Sequence, residues 1–156
     1  MTARCVHHVA AETVKGMPMI DVYAATGTFA DPKALARDLA TALMKVEQVP
    51  DIELFRRNTA AFVHEMPVNA LSNVAGDGDR VRIQVLTNAG ALDREKQLAA
   101  VRELTRVAGE AAGDVGLPER TWVLLTEAPD GGWGLGGHAY LNEELVAAAR
   151  AELGRT

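Results

Sequence analysis

The sequence predicts an α/β protein built as a tandem βαβ repeat, a four-stranded mixed sheet with two helices on one face and the other face buried against further subunits. Three observations predict it. From Met17 onward the chain divides into two segments offset by about 62 residues, each reading strand, helix, strand and a turn-rich tail. Each helix opens on an aspartate, Asp31 or Asp93, suited to accept from the free N–H groups of a first turn. Landmarks recur at matching places: Gly27 with Gly90, Glu65 with Glu127, Pro67 with Pro129.

In the first unit, residues 18–77, Ile20 and Val22 alternate with more polar neighbours from Pro18 to Tyr23, the period of a half-buried strand. Thr26-Gly27-Thr28 breaks the strand. Pro32 fits the first helical position, where a missing N–H costs nothing, and Leu35, Leu39, Leu43 and Val46 make one apolar stripe that stops by Pro50. A charge-rich loop leads to a second strand, Thr59 to Met66.

In the second unit, residues 79–140, Val81, Ile83 and Val85 alternate with Arg82, Gln84 and Leu86, and the chain breaks at Asn88-Ala89-Gly90. The helix after Asp93 carries the stripe Leu98, Val101, Leu104 and Ala108, and Gly113, Gly116 and Pro118 end it. Thr121 to Glu127 is the matching strand, followed by a glycine-rich segment that ends at Tyr140. Leu141 to Leu153 forms a terminal helix with Leu145, Ala148 and Ala149 on its apolar side. Each βαβ unit crosses over right-handedly and sets its own two strands parallel. Residues 17–156 therefore read as a single domain of two units plus a C-terminal helix. Residues 1–16, without periodicity, read as a leader or a mis-assigned start.

Composition narrows the function. A formal net charge of -5 disfavours nucleic acid, which needs a concentrated basic face. Apolar residues at 48% and charged residues at 24% are proportions that fold rather than stay disordered. No run of about 18 apolar residues exists to cross a bilayer, and the first residues lack a secretory signal pattern, so no membrane partner is expected and the location is read as cytoplasmic. The single Cys5 cannot form an internal disulfide. Cys5, His7 and His8 lack a second ligand cluster, so no metal is expected. A literal GxGxxG at Gly132, Gly134 and Gly137 opens no long helix, so no dinucleotide cofactor is expected either.

Met17-Pro18-Met19-Ile20-Asp21-Val22 at the first strand, and Thr126-Glu127 through Trp133-Gly134-Leu135-Gly136-Gly137 in the tail, carry a resemblance to the tautomerase superfamily. The chain is similar to its 4-oxalocrotonate tautomerase branch in the fused, two-unit form seen in malonate semialdehyde decarboxylase, cis-3-chloroacrylic acid dehalogenase and macrophage migration inhibitory factor. The resemblance spans Met17 to about Tyr140. It implies a cofactor-free homotrimer acting on a small-molecule substrate, with the catalytic base the secondary amine of an amino-terminal proline, here Pro18. An amine in an apolar pocket loses pKa because its charged form is desolvated, so it can take a proton at neutral pH. That chemistry requires a chain that starts at Pro18, because within the chain the proline nitrogen is an amide. The family's substrate-binding arginines do not transfer: Thr28 and Ala91 stand at one of their places, Ala60 and Trp122 at the other, so a dicarboxylate is not the expected substrate.

The resemblance thus implies a tautomerase converting enol to keto forms of a small carbonyl acid or ketone. The alternatives are a non-catalytic trimeric ligand- or partner-binding protein that retains the leader, or a lyase such as a decarboxylase or hydratase. Pro18 is either the base or an ordinary strand-start proline. Trp133 matches the family's aromatic pocket wall, and Trp122 is either a second pocket residue or a core or subunit contact. Arg57 is either an anion clamp or a solvated loop charge, and His64 either faces the pocket or is structural. Arg80 and Arg82 read as subunit contacts, and Asn88 as a donor toward an enolate oxygen.

Overall fold

A computed structural model describes residues 16–155. Residues 1–15, which include Cys5, His7, His8 and most of the expected leader, lie outside the described residues. The elements in order are β1 (Met19–Ala25), α1 (Pro32–Glu47), α2 (Glu53–Asn58), β2 (Ala60–Met66), β3 (Val81–Asn88), α3 (Arg94–Ala112), a short 3-10 turn (Pro118–Arg120), β4 (Thr121–Ala128), β5 (Trp133–Leu135), β6 (His138–Tyr140) and α4 (Asn142–Leu153).

Four strands form one sheet in the order β2-β1-β3-β4, and β5 and β6 form a separate hairpin. β1 runs parallel to β2 and β3 parallel to β4, while the central β1 and β3 are antiparallel. This is the mixed sheet that two consecutive βαβ crossovers produce. Both helix starts are capped as the aspartates predict: Asp31 accepts from Ala34 N–H at 3.0 Å and Asp93 from Lys96 N–H at 2.9 Å. Gly113 closes α3 in the left-handed conformation, φ +62°, which glycine adopts without a Cβ penalty.

Strand alternation sends Ile20, Val22, Val81, Ile83 and Val85 under the helices, where they pack with Leu35, Leu39, Leu43 and Leu104. The alternate positions lie on a face that no helix covers, and there Phe62, Leu86, Trp122 and Leu124 are exposed. A second, smaller apolar cluster joins Met17, Ile52, Phe55, Trp133, Leu145 and Ala149, drawn from the approaches to β1 and α2, α2 itself, the hairpin and α4. It covers the entry to β1. No described helix is long and apolar enough to cross a membrane.

Two local expectations need correction. The charge-rich loop after Pro50 contains the six-residue helix α2, anchored by buried Phe55. On α3 the buried residues are Ala100, Leu104, Val107 and Ala108, whereas Leu98 is 50% and Val101 38% exposed. The stripe is turned because small Ala100 and Ala108 let the helix approach the sheet. Leu98 and Val101 border a groove against the outer strand with Val123, Leu124 and Leu125.

Candidate active site

Pro18 is buried immediately before β1, and its carbonyl accepts from Ala60 N–H at 3.2 Å. The residue ahead of it is held as firmly as any in the core. Met17 has no exposed surface; its N–H donates to Asn88 Oδ1 at 2.8 Å and its carbonyl accepts from Trp133 Nε1–H at 2.8 Å. The antiparallel register explains the first bond. With Met19 opposite Leu86, continuing the pairing by two residues sets Met17 opposite Asn88 at the end of β3. The hairpin explains the second: Trp133, paired with Tyr140, begins β5 and is brought over the strand entry.

Next to these groups, through Thr87 beside Asn88 and Gly16 beside Met17, lies Glu47, the last residue of α1, which has no exposed surface. Its Oε1 accepts from the Thr87 hydroxyl at 2.7 Å, and its backbone carbonyl accepts from Lys96 Nζ at 3.3 Å. Its Oε2 has no hydrogen-bond partner among the described residues. Burial pushes the Glu47 carboxyl up to about 8, against the Thr87 hydrogen bond and the Lys96 charge and together with the Glu127 charge. Glu127 accepts from Gly90 N–H at 3.1 Å, and Asn142 Nδ2 donates to the Ala89 carbonyl at 3.0 Å, tying the turn after β3 to β4 and α4.

The structure thus brings Pro18, Asn88 and Trp133 together. In the described chain Asn88 presents its oxygen to the Met17 N–H, so the side chain expected as a donor serves here as an acceptor, and the donor is the Trp133 indole. Arg57 stands on the exposed side of α2, paired with Glu53 at 2.6 Å through the i,i+4 spacing of the helix. Trp122, 45% exposed, lies opposite Arg82 near the start of β4 on the uncovered face, four residues along β3 from the Leu86 that pairs with Met19. His64 is on that face as well, bonded to Asp21 at 2.7 Å and stacked on Tyr23. Arg82 lies over the other side of this row, 4.6 Å from the Tyr23 ring, and Arg80 pairs with Asp77 at 2.9 Å.

Glu47 and Thr87 were not singled out from sequence. A signal for Glu47 exists: it continues Leu35, Leu39 and Leu43 at the same spacing of four, which sets a carboxyl in the phase of a buried stripe.

No protein-family model matches the chain, and no curated protein matches it. Solved structures do. Pt0534, inactivated by 2-oxo-3-pentynoate, has a TM-score of 0.67 and 18% identity, over 81% of this chain and 98% of its own. A fused 4-OT, an asymmetric trimer, has 0.64 and 22%, over 88% and 99%. Malonate semialdehyde decarboxylase, known in wild-type form, in a form whose first-position proline is replaced by alanine, and in inactivated form, has 0.61 and 18%, over 83% and 97%. The chain shares the fold of these three proteins over nearly their whole length.

Proposed function

We propose that this protein is a tautomerase, an isomerase that converts the enol to the keto form of a small carbonyl acid or ketone without a cofactor. Pro18 is the general base, as the amino-terminal residue of the mature chain. The observation that carries the reading is the seat of Met17. Its carbonyl oxygen, roughly 2.2 Å from the Pro18 nitrogen by amide geometry, receives the Trp133 indole N–H, and its N–H meets the Asn88 oxygen. Once the Met17–Pro18 bond is absent, those two groups surround the nitrogen of a secondary amine. A substrate carbonyl in the place of the Met17 carbonyl would accept from Trp133 and set its neighbouring carbon or hydroxyl beside that nitrogen.

The amine then takes the proton of the enol hydroxyl, charge collects on the oxygen facing Trp133, and the protonated amine delivers that proton to the enol carbon, which leaves the ketone and the free amine. The apolar surroundings, Phe55 and Met19 among them, favour the uncharged amine at neutral pH. The solved relatives support this reading: one is inactivated by an acetylenic 2-oxo acid, and another was examined with its first proline replaced. Related decarboxylase or hydratase chemistry would use the same amine in its protonated form. The uncovered sheet face and the trimeric relative support a homotrimer with the pockets near its subunit boundaries.

A second reading is a non-catalytic trimer that binds a ligand or partner. The complete burial of Met17 favours it, since a residue so well bonded behaves as part of the core. Intact mass of the protein made from its native gene separates the two: a first residue of Pro18 supports the enzyme, retention of the preceding residues the binding protein. On a chain that starts at Pro18, 2-oxo-3-pentynoate should add one equivalent to the amine. Ketonisation of a simple enol should fall at least about 100-fold in Pro18→Ala. Equal rates for the two proteins would rule out proline as base.

A further inference from the structure

The proton transfer proposed for Pro18 leaves one buried group of the same cluster without a task. Thr87 occupies one oxygen of Glu47, and the other is unpartnered among the described residues at zero exposure. Gly16 closes over that second oxygen. A Cβ placed on Gly16 would come within 1.8 Å of Oε2 and 2.8 Å of the carboxyl carbon, so only a residue without a side chain lets the backbone lie there.

We propose that Glu47 is a substrate-binding group of this site, and that its free oxygen selects a ligand with an uncharged oxygen, a ketone or hydroxyl, where Gly16 now lies. The proposal rests on the Pro18 pocket being a substrate site. Gly16 and Met17 mark the path: Met17 holds the positions facing Trp133 and Asn88, and Gly16 the position facing Glu47. A ligand spanning both would meet an indole donor near the amine and the carboxyl at its far end.

The chemistry of the carboxyl chooses between neutral and anionic ligands. Thr87 donates to Oε1, so a proton held by the neutral acid is carried on Oε2, and burial keeps that acid neutral up to about pH 8. Oε2 is then an O–H donor in search of an acceptor. The charged groups that bear on it are Lys96 from α3 and Glu127 from β4, with uncharged Thr87 from β3. Lys96 is engaged on the Glu47 carbonyl, and Glu127 adds negative charge, so a ligand carboxylate here would be a further anion in a water-poor place. A neutral oxygen accepts the same hydrogen bond without that cost.

The test uses the full chain with Gly16→Ala, whose Cβ would lie 1.8 Å from Glu47 Oε2, so that the carboxyl and the backbone at position 16 cannot both keep their places. Two probes are compared, hydroxyacetone and pyruvate, which share a methyl ketone and differ in a hydroxyl or a carboxylate end. Binding is read from the indole N–H resonance of Trp133, one of two tryptophans, with Trp122 as internal reference. Hydroxyacetone should shift the Trp133 signal saturably in Gly16→Ala and not in the parent, with pyruvate at least about tenfold weaker. Adding Glu47→Leu should weaken hydroxyacetone at least about tenfold, whereas adding Glu47→Gln, which still hydrogen-bonds, should hold it within about threefold. Ionising Glu47 by raising the pH should weaken binding in the Gly16→Ala protein and leave the glutamine variant unchanged, a result that stands even if the leucine variant does not fold.

An absent Trp133 shift, pyruvate binding as well as hydroxyacetone, undiminished binding in the leucine variant, or binding independent of pH would each overturn the proposal. None of these measurements needs a free Pro18 amine. Failure of the proline as base would leave them standing, and modification by 2-oxo-3-pentynoate tests the proline without reference to Glu47.

Discussion

Glu47 occupies a step of the α1 stripe that hydrocarbon fills elsewhere, and its environment makes the fold sensitive to pH. Its pKa in the folded chain, about 8, lies above the ordinary 4.5, so between those values the folded protein keeps a proton that the unfolded chain releases. Stability is full below pH 4.5, declines as pH rises toward about 8, and stays at its lower level beyond. At about 1.4 kcal/mol for each tenfold change, the whole decline is at most about 5 kcal/mol. Glu47→Gln keeps an acceptor for Thr87 and cannot ionise. Urea unfolding at about pH 5 and about pH 8.5 should show the parent losing several kcal/mol and the variant nearly none. A parent curve as flat as the variant's would mean that the carboxyl is not desolvated.

At the scale of elements, the helix starts and strands were legible because each rests on local chemistry. Asp31 and Asp93 hold their first turns by a single hydrogen bond each, so Asp31→Ala and Asp93→Ala should each cost about 1 kcal/mol in urea unfolding. The two caps share no partner, and the double variant should lose about the sum. A much smaller loss would mean that water replaces the caps. What was not legible depended on contacts between elements. The face α3 buries is set by how closely Ala100 and Ala108 let it approach the sheet, which the spacing of Leu98 and Val101 does not record. α2 buries only Phe55, too little for a period to show. The site divides in the same way. That Pro18, Trp133 and Asn88 come close together follows from strand and hairpin patterns for the first two and from a strand end for the third. Arg57 was inferred from its position along the chain, yet a partner one helical turn away, Glu53, holds its guanidinium on the surface. Glu47 acquires its meaning only when Gly16 from 31 positions earlier closes over it.

At the scale of the molecule, the sheet face without helices carries a polar row among exposed apolar side chains. Arg82, Tyr23 and His64 stack in a row across β3, β1 and β2, with Asp21 bonded to His64. Phe62 on β2, Leu86 on β3, and Trp122 and Leu124 on β4 each show between 44% and 52% of their surface in the single chain. Four large apolar side chains aligned on one face mark an association surface, because a monomer gains nothing by exposing them together. In the proposed trimer they meet other subunits, and each side chain buried there contributes on the order of 1.5 to 3 kcal/mol. Leu86→Glu with Leu124→Glu sets two carboxylates into that contact and leaves the helix-facing core untouched, since both positions alternate outward from it. Sedimentation velocity should give the parent a mass near three times the 16.6 kDa chain and the double variant a mass near one. Circular dichroism should show the variant still folded, because Ile83, Val85, Val123 and Leu125 keep their places under α1 and α3. If the variant sediments as the parent does, the uncovered face is not the contact. Should it fall to monomers and keep full Pro18-dependent turnover, the pocket is complete within one chain.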